Sequence, residues 1–206
     1  MLTLIHEQAE QAATLDKEIA TLYTKKEDNR PFSTPDRFGY ILGGMPRDHA
    51  FGEPARDIDY FVSVDILKIN FDIDGEVDIM SKGLLISALK TLGYNKVEEI
   101  KPEEADCPYT GNNVIIVYEL SDHPKFKTPV NIIVVGYPER LMPCYYDCFP
   151  CNLSKAEWTR TGGYKYAKEF MEDFSSNYIT YIDMPTEGYE KKMKKRFPNR
   201  IARLRS

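Results

Sequence analysis

The sequence predicts an α/β (α+β) protein with one small mixed β-sheet and helices packed against it. Apolar residues recur at helical spacing near the N-terminus and again at residues 79–92. Short runs rich in β-branched and aromatic residues lie outside these stretches and are typical of strands. Of the 206 residues, 42% are hydrophobic and 29% are charged, which is enough for a core in a globular chain. We therefore expect one domain over residues 1–206.

The N-terminal half divides into helices and strands by its hydrophobic periodicity. Residues 5–26 carry an apolar stripe at helical spacing and predict a long helix. After a charged loop containing prolines, apolar runs predict strands near 38–42 and 57–64, with a short helix between them. Residues 79–92 predict another helix, which Gly93 can end.

The C-terminal half is predicted to contain a hairpin followed by two helices. Residues 113–120 and 129–136 are apolar runs separated by a polar, proline-containing turn, which predicts two paired strands. The segment after residue 137 is aromatic and irregular. Within it, residues 164–174 and 187–197 predict helices.

Most of the candidate functional residues lie in the segment from residue 40 to 62. Two carboxylates, Asp57 and Asp59, are one residue apart in a predicted strand and therefore point to the same side of it. Two like charges held so close repel each other. Mg²⁺ removes that cost, because it takes hard oxygen ligands and bridges carboxylates to phosphates.

The same segment contains a glycine pair that suits a phosphate. Gly43 and Gly44 lack a Cβ atom, so a phosphate can approach their backbone amides closely. Pro46 fits the first turn of a helix, whose N-terminus attracts anions. Arg47 then offers a planar and permanently charged group to a phosphate.

This pattern resembles the nucleotidyltransferase superfamily of DNA polymerase beta, and most closely its branch of poly(A) polymerases and CCA-adding enzymes. That branch has an apolar-Gly-Gly-x-x-Arg-Asp signature followed by a glycine and Asp-x-Asp. The matching residues are Gly43, Gly44, Arg47, Asp48, Gly52, Asp57 and Asp59. A looser resemblance, resting on size and few residues, is to small bacteriophage-encoded nucleotidyltransferase-like proteins.

The resemblance implies a palm fold that transfers a nucleoside monophosphate from an NTP to a hydroxyl of an RNA end or a protein side chain. It implies that Asp57 and Asp59 bind Mg²⁺ (or Mn²⁺). It also implies that Gly43, Gly44, Arg47 and Asp48 form the nucleotide-binding part of the site, in which Asp48 braces the loop or orients Arg47. The arginine-rich motif with which CCA-adding enzymes choose CTP and ATP has no counterpart here, which argues against a complete enzyme of that kind.

The third carboxylate of the family falls where this chain has Asn131. A neutral amide can hydrogen-bond a hydroxyl or coordinate a metal weakly, but it is no general base. Glu119 or Asp147 would have to replace the carboxylate through the fold, or both are surface acids. The alternative function is therefore a nucleotide-binding or nucleic-acid-binding protein with weakened catalysis. A toxin-like enzyme that modifies a protein or a tRNA end is a further alternative.

Three other features each have a functional and a structural interpretation. The second Asp-x-Asp, at residues 72–74, precedes Gly75 and predicts a turn rather than a metal site. Residues 158–164 are suited either to stacking on a base or to a hairpin turn. His49 is either structural or catalytic.

The cysteines admit either zinc binding or packing. Cys144, Cys148 and Cys151 lie close together in the chain, with Cys107 far upstream and His123 as a conceivable further ligand. Aromatic residues and prolines are interleaved with the cluster, which favours a packed segment of reduced thiols.

The final segment, residues 191–206, contains eight lysines and arginines and no acid, whereas the whole chain has a net charge of −5. It either binds an RNA backbone or folds as a helix end against the acidic body. No run is long enough for a membrane span, and residues 1–6 lack the basic region and cleavage site of a signal peptide, so we expect a cytoplasmic protein without a membrane partner.

Overall fold

The computed structural model describes residues 2–24, 39–100, 114–136 and 149–205. The helices are α1 (Leu2–Thr24), α2 (Gly44–Ala50), α3 (Val64–Leu67), α4 (Ile79–Lys90), α5 (Lys168–Ser175) and α6 (Glu187–Arg196), with a 3₁₀ turn at Asn152–Ser154. The strands are β1 (Gly39–Leu42), β2 (Ile58–Ser63), β3 (Lys96–Ile100), β4 (Val114–Ser121), β5 (Val130–Val135), β6 (Ala156–Thr159), β7 (Gly163–Tyr166), β8 (Tyr178–Tyr181) and β9 (Ile201–Leu204).

Seven of these strands form one mixed sheet in the order β3-β4-β5-β2-β1-β6-β7. β2 and β5 run parallel, and the other neighbours in this sheet run antiparallel. The parallel register places Asp59 opposite Asn131, and the next pair of strands places Glu119 opposite Asn131. The predicted α/β class, with a small mixed sheet flanked by helices, is confirmed.

The larger core lies on one face of this sheet, beneath α1 and α4. Leu15 and Ile19 of α1 and Leu85 of α4 pack against strand residues such as Tyr60 and Ile132. Burial of this apolar surface is the main force that holds the two helices to the sheet. This face therefore acts as the structural support of the domain.

Buried polar side chains fix how α1 lies on the sheet. Gln8 donates to the Ala55 carbonyl (2.8 Å) and accepts from its amide (3.0 Å). Asp16 accepts a hydrogen bond from the Tyr60 hydroxyl (2.8 Å) and pairs with the Arg160 Nε (2.8 Å). Because each of these groups has a partner, burial of the polar atoms is compatible with stability.

The opposite face of the sheet carries a smaller apolar cluster and the predicted site residues. The buried members of this cluster are Leu42, Phe61, Val117, Ile133, Val135 and Phe149. Side chains alternate along a strand, so Asp59, two residues before Phe61, lies on the same face.

Apolar residues within 149–205 form a third hydrophobic cluster around the two-stranded parallel sheet β8–β9. Asp173 of α5 is fully buried, and its carboxylate accepts hydrogen bonds from the Thr180 amide (2.6 Å) and hydroxyl (2.7 Å). Phe51, which follows α2, packs on Phe174 and Phe197 with ring centroids 4.9 and 4.7 Å apart. The third cluster thus contacts the segment that carries the glycine pair.

Most predicted elements lie within a few residues of the observed ones, but one prediction was wrong in part. Residues 164–174 were expected to be helical, whereas Gly163–Tyr166 is a strand and the helix begins at Lys168. Tyr164 pairs with Trp158 across β6 and β7, so pairing with a neighbouring strand outweighs local helical preference. The turn expected at residues 72–75 is confirmed, with Asp72 accepting from the amides of Asp74 and Glu76.

Several predictions concern residues outside the described part. These are the loop at 27–37, Asp147, and the cysteines Cys107, Cys144 and Cys148. Within the described ranges, none of the helices combines the length and apolar character that crossing a bilayer requires.

Candidate nucleotide and metal site

The glycine pair forms a tight bend between β1 and α2. Gly43 has a φ of 71°, a conformation that L side chains rarely adopt, and it ends β1 by donating to the Ala156 carbonyl (2.9 Å). Its own carbonyl accepts from the Arg47 amide (3.0 Å), which begins α2. We call residues 43–44 the glycine bend.

Two functional groups converge on the second glycine of the bend. A Cβ atom built on Gly44 would lie 3.9 Å from Nη2 of Arg47 and 3.9 Å from Oδ1 of Asp57. The missing side chain therefore leaves space beside both a guanidinium and a carboxylate. The sequence motif predicted that these three residues act together, and the fold brings them together.

Asp57 and Asp59, the acidic pair, lie at the start of β2. Nδ2 of Asn131 donates a hydrogen bond to Oδ1 of Asp59 (2.9 Å). Burial and the nearby Asp57 carboxylate raise the pKa of Asp59 to about 7, although the Asn131 hydrogen bond and the cations Lys192 and Arg47 act in the opposite direction. The two acids are thus close enough to disfavour each other's charge.

Asp48 braces the bend and does not point to the acidic pair. Its Oδ1 pairs with Nε of Arg47 (2.8 Å), and its Oδ2 pairs with Nη2 of Arg196 (3.0 Å). The Asp48 side chain is only 4% exposed and that of Arg47 12%. Burial alone would lower the pKa of Arg47, but the contact with Asp48 raises it overall, so Arg47 stays charged. The ion pair with Asp48 holds the Arg47 guanidinium in one orientation, and the role of both residues in nucleotide binding stays a prediction.

Asn131 and Glu119 continue the row of side chains that begins at Asp59. Asn131 is directly beside Asp59, and Glu119 is one strand further out on the same face. Of the two acids considered as replacements, Glu119 is therefore in the same row as the site but beyond Asn131. Asp147 lies outside the described residues.

Two cations at the site were missed by the sequence analysis. Arg196 of α6 reaches Asp48 and also donates to the Pro54 carbonyl (3.1 Å), and Lys192 lies near enough to Asp59 to stabilise its charge. Both were assigned only to the basic C-terminal segment. Their spacing of four residues placed them on one helix face, but nothing in the sequence indicated which surface that face would contact.

The chemistry of the acidic pair fits a divalent cation. Carboxylate oxygens are the ligands that Mg²⁺ and Mn²⁺ prefer, and a cation between the two acids would offset their mutual repulsion. Among the described residues, no three His, Cys, Asp or Glu side chains gather as a metal cluster. Asp57 and Asp59 would therefore hold Mg²⁺ together with water or phosphate oxygens, as Mg²⁺ commonly requires.

The histidines and the cysteine considered as catalytic or zinc-binding residues pack against or hydrogen-bond to other protein groups. The His49 ring stacks on Tyr164 with centroids 3.5 Å apart, and burial is the main cause that lowers its pKa. Cys151 is fully buried beside the hydroxyls of Ser154 (3.5 Å) and Tyr189 (3.4 Å). Nδ1 of His123 accepts hydrogen bonds from two backbone amides of its own loop. Residues 160–162 form the turn of the β6–β7 hairpin.

Much of the basic C-terminal segment is folded into the protein. Arg200 donates to four backbone carbonyls at the end of α5, and Arg203 bonds the Thr180 hydroxyl (2.9 Å). On the outer side of α6, Lys191 pairs with Glu187 (2.5 Å) and Lys194 with Glu190 (2.6 Å). Arg200 and Arg203 are therefore folded into the protein beyond the end of α6, whereas Lys191 and Lys194 lie on the exposed side of this helix.

Comparison with known proteins gives distant structural matches. The chain is similar to the Thermotoga maritima CCA-adding enzyme in complex with tRNA and to a CCA-adding enzyme with CTP, each at 13% identity and a TM-score of 0.44. It is also similar to a tRNA-processing enzyme with CTP, at 16% identity and a TM-score of 0.37.

The two CCA-adding enzyme matches cover 82% of this chain but 35% and 36% of those structures, and the third covers 69% and 32%. This chain therefore spans about a third of their length. No protein-family model matches the sequence. No curated protein matches it either. Matches at this level describe a distant similarity in fold and assign no activity to the chain.

Proposed function

We propose that this protein is a metal-dependent nucleotidyltransferase that moves a nucleoside monophosphate from an NTP to a hydroxyl acceptor. The observation that carries the proposal is the convergence of the glycine bend, the Arg47 guanidinium and the acidic pair on one small space. A triphosphate chelated to a divalent cation needs all three features: close backbone approach, a fixed positive charge and hard anionic ligands.

Each residue has a distinct task in this proposal. The acidic pair would hold Mg²⁺, and the bound ion would supply neutralisation of the negative charge on the reacting phosphate. The glycine bend admits the triphosphate, and Arg47, fixed through Asp48, offers Nη2 to a phosphate oxygen. The acceptor oxygen bonds to the α-phosphorus, the bond to the β-phosphate oxygen breaks, and pyrophosphate leaves with that electron pair.

Asn131 cannot accept the proton of the acceptor hydroxyl as a general base would. The amide is neutral, and its Nδ2 already donates to Asp59. With Asn131 at this position, the proton would pass to solvent or to the departing phosphate under this proposal. This arrangement favours slow transfer and supports the alternative function, a nucleotide-binding protein whose catalysis is weak.

The direct test is incubation of the protein with each α-³²P-labelled NTP, Mg²⁺ or Mn²⁺, and total RNA and protein. We expect label on one class of acceptor, RNA ends or protein side chains, from the wild type. Asp59→Asn, a nearly isosteric change that keeps an acceptor for Asn131, should abolish labelling and leave the circular dichroism spectrum unchanged. Full labelling by this folded variant would refute the metal assignment.

Asn131→Asp distinguishes the enzyme from the weakened binding protein in the same assay. A third carboxylate beside Asp59 would provide a base for the acceptor hydroxyl. A gain in labelling would indicate that Asn131 limits an existing reaction. Wild-type nucleotide binding without labelling by either protein would favour the binding function.

A further inference from the structure

We propose that Lys192 of helix α6 completes the triphosphate site by binding a non-bridging oxygen of the nucleotide's β- or γ-phosphate. The inference rests on the proposed nucleotide function and extends the site to a helix outside the sequence motif. It assigns one lysine of the basic C-terminal segment to phosphate recognition, apart from any contact with RNA.

The first support is the way in which α6 is anchored. Arg196 pairs with Asp48 and donates to the Pro54 carbonyl, so the last turn of α6 is fixed beside the glycine bend. The Arg47 guanidinium also lies over the Phe197 ring, 5.9 Å from its centroid. Two contacts from different residues therefore hold this end of the helix against α2.

The second support is the direction of the Lys192 side chain. Residues four apart lie on one helix face, so Lys192 is one turn away from Arg196 on the side that contacts the site. Lys192 is partly buried, whereas Lys191, Lys194 and Lys195 are exposed. Its ammonium group acts electrostatically on the Asp59 carboxylate, which places it near the acidic pair.

The third support is the local balance of charge. Among the described residues at the site, Asp48, Asp57 and Asp59 face the cations Arg47, Arg196 and Lys192. Asp48 engages both arginines, whereas Lys192 acts on the acidic pair together with Arg47. A divalent cation on those two acids would offset their negative charge, and the positive charge of Lys192 would then attract an arriving polyanion.

A lysine suits this task because it is a compact charge on a flexible stem. It can follow a phosphate oxygen as negative charge builds up on the departing pyrophosphate, whereas Arg47 is held in one orientation by Asp48. A hydrogen bond between an ammonium and a phosphate is charge-assisted and stronger than a neutral one. The lysine therefore contributes both to binding and to departure of the leaving group.

The test measures binding of inorganic tripolyphosphate by isothermal titration calorimetry in saturating Mg²⁺. This probe contains the phosphate chain without base or sugar, so the unknown base preference does not matter. We expect Lys192→Gln to weaken binding by about 10-fold and Lys192→Arg to restore most of it. Lys195→Gln, which removes an exposed charge from the same helix, should bind like the wild type.

The outcomes separate this inference from the function on which it rests. If Asp57→Asn abolishes tripolyphosphate binding but folded Lys192→Gln binds as tightly as the wild type, the role of Lys192 is refuted and the nucleotide site stands. If the wild type itself fails to bind Mg²⁺-tripolyphosphate, both proposals fall. Equal losses in Lys192→Gln and Lys195→Gln would indicate a general charge effect and would also overturn the assignment.

Discussion

At the scale of single residues, Asp59 is the side chain with the largest conflict between burial and charge at the site. Its pKa of about 7 in the folded protein lies above the ordinary value of 3.8 because of burial and the neighbouring Asp57. The folded protein therefore binds more protons than the unfolded chain between about pH 4 and 7. Without a divalent cation, the free energy of unfolding should fall as the pH rises through this window.

The corresponding prediction concerns Asp59→Asn, which removes this conflict. In EDTA at pH 8, we expect the variant to be more stable than the wild type by about 1 to 3 kcal/mol, and the difference should vanish near pH 4. Urea unfolding at several pH values measures it. Asp74→Asn, an exposed change in the turn before α4, is the control. A constant difference at all pH values would show that Asp59 does not titrate in this window.

The residues of the site differ in how far the sequence could predict them. Gly43, Gly44, Arg47, Asp57 and Asp59 lie within 17 residues of one another, so a motif and the geometry of one strand and one bend were enough to group them. Lys192 and Arg196 reach the site through packing between distant parts of the chain. Spacing along the sequence carries no information about such contacts.

At the scale of elements, the C-terminal end of α5 depends on one arginine. Arg200 donates to the carbonyls of Asp173, Phe174, Ser176 and Tyr178, and it also lies 5.1 Å from the centroid of the Phe51 ring. The last carbonyls of a helix lack partners within the helix, so the guanidinium satisfies acceptors that would otherwise be lost on burial.

We therefore expect Arg200→Ala to lower the free energy of unfolding by about 2 to 4 kcal/mol. Arg200→Lys should recover only part of this, because an ammonium cannot match the planar fork of the guanidinium. Arg205→Ala is the matched control: Arg205 is exposed, and the hydrogen bond from its amide to the Tyr181 carbonyl (2.7 Å) would remain. Equal effects of the two alanine variants in urea unfolding would contradict the structural role of Arg200.

Elements with strong hydrophobic periodicity could be predicted from the sequence, whereas strand β7 could not be predicted from its own residues. Residues 79–90 have helical spacing and a capping Asp78, whose side chain accepts from the Ser81 amide (3.0 Å). Tyr164 and Tyr166 instead became strand residues because β6 offers a partner and because Tyr164 packs against the larger core. Such a preference depends on the neighbouring strand and cannot be read from the segment alone.

At the scale of the whole molecule, the expected single domain over residues 1–206 remains a prediction. Its physical basis is the contact between the segment around the glycine bend and residues 149–205. Phe51 packs on Phe174, and Asp48 pairs with Arg196. Because the large sheet and residues 149–205 share these contacts, unfolding of either part removes stabilising partners from the other.

We expect one cooperative thermal transition, with calorimetric and van't Hoff enthalpies that agree. Differential scanning calorimetry combined with near-UV circular dichroism measures both the heat and the aromatic packing of the third cluster. Two separated transitions, or an early loss of the aromatic signal, would show that residues 149–205 unfold independently of the large sheet.

The ion pair between Asp48 and Arg196 has a consequence for synthesis of the chain. The two residues are about 150 positions apart, so forming this ion pair closes a long loop and reduces the conformational entropy of the chain. The contact can form only after α6 has been synthesised. During translation, the bend and both aspartates emerge long before the helix that clamps them. A nascent chain can thus expose Asp57 and Asp59 while Arg196 and Lys192 are still unmade, and under the proposed function it would bind nucleotide fully only after α6 has been synthesised.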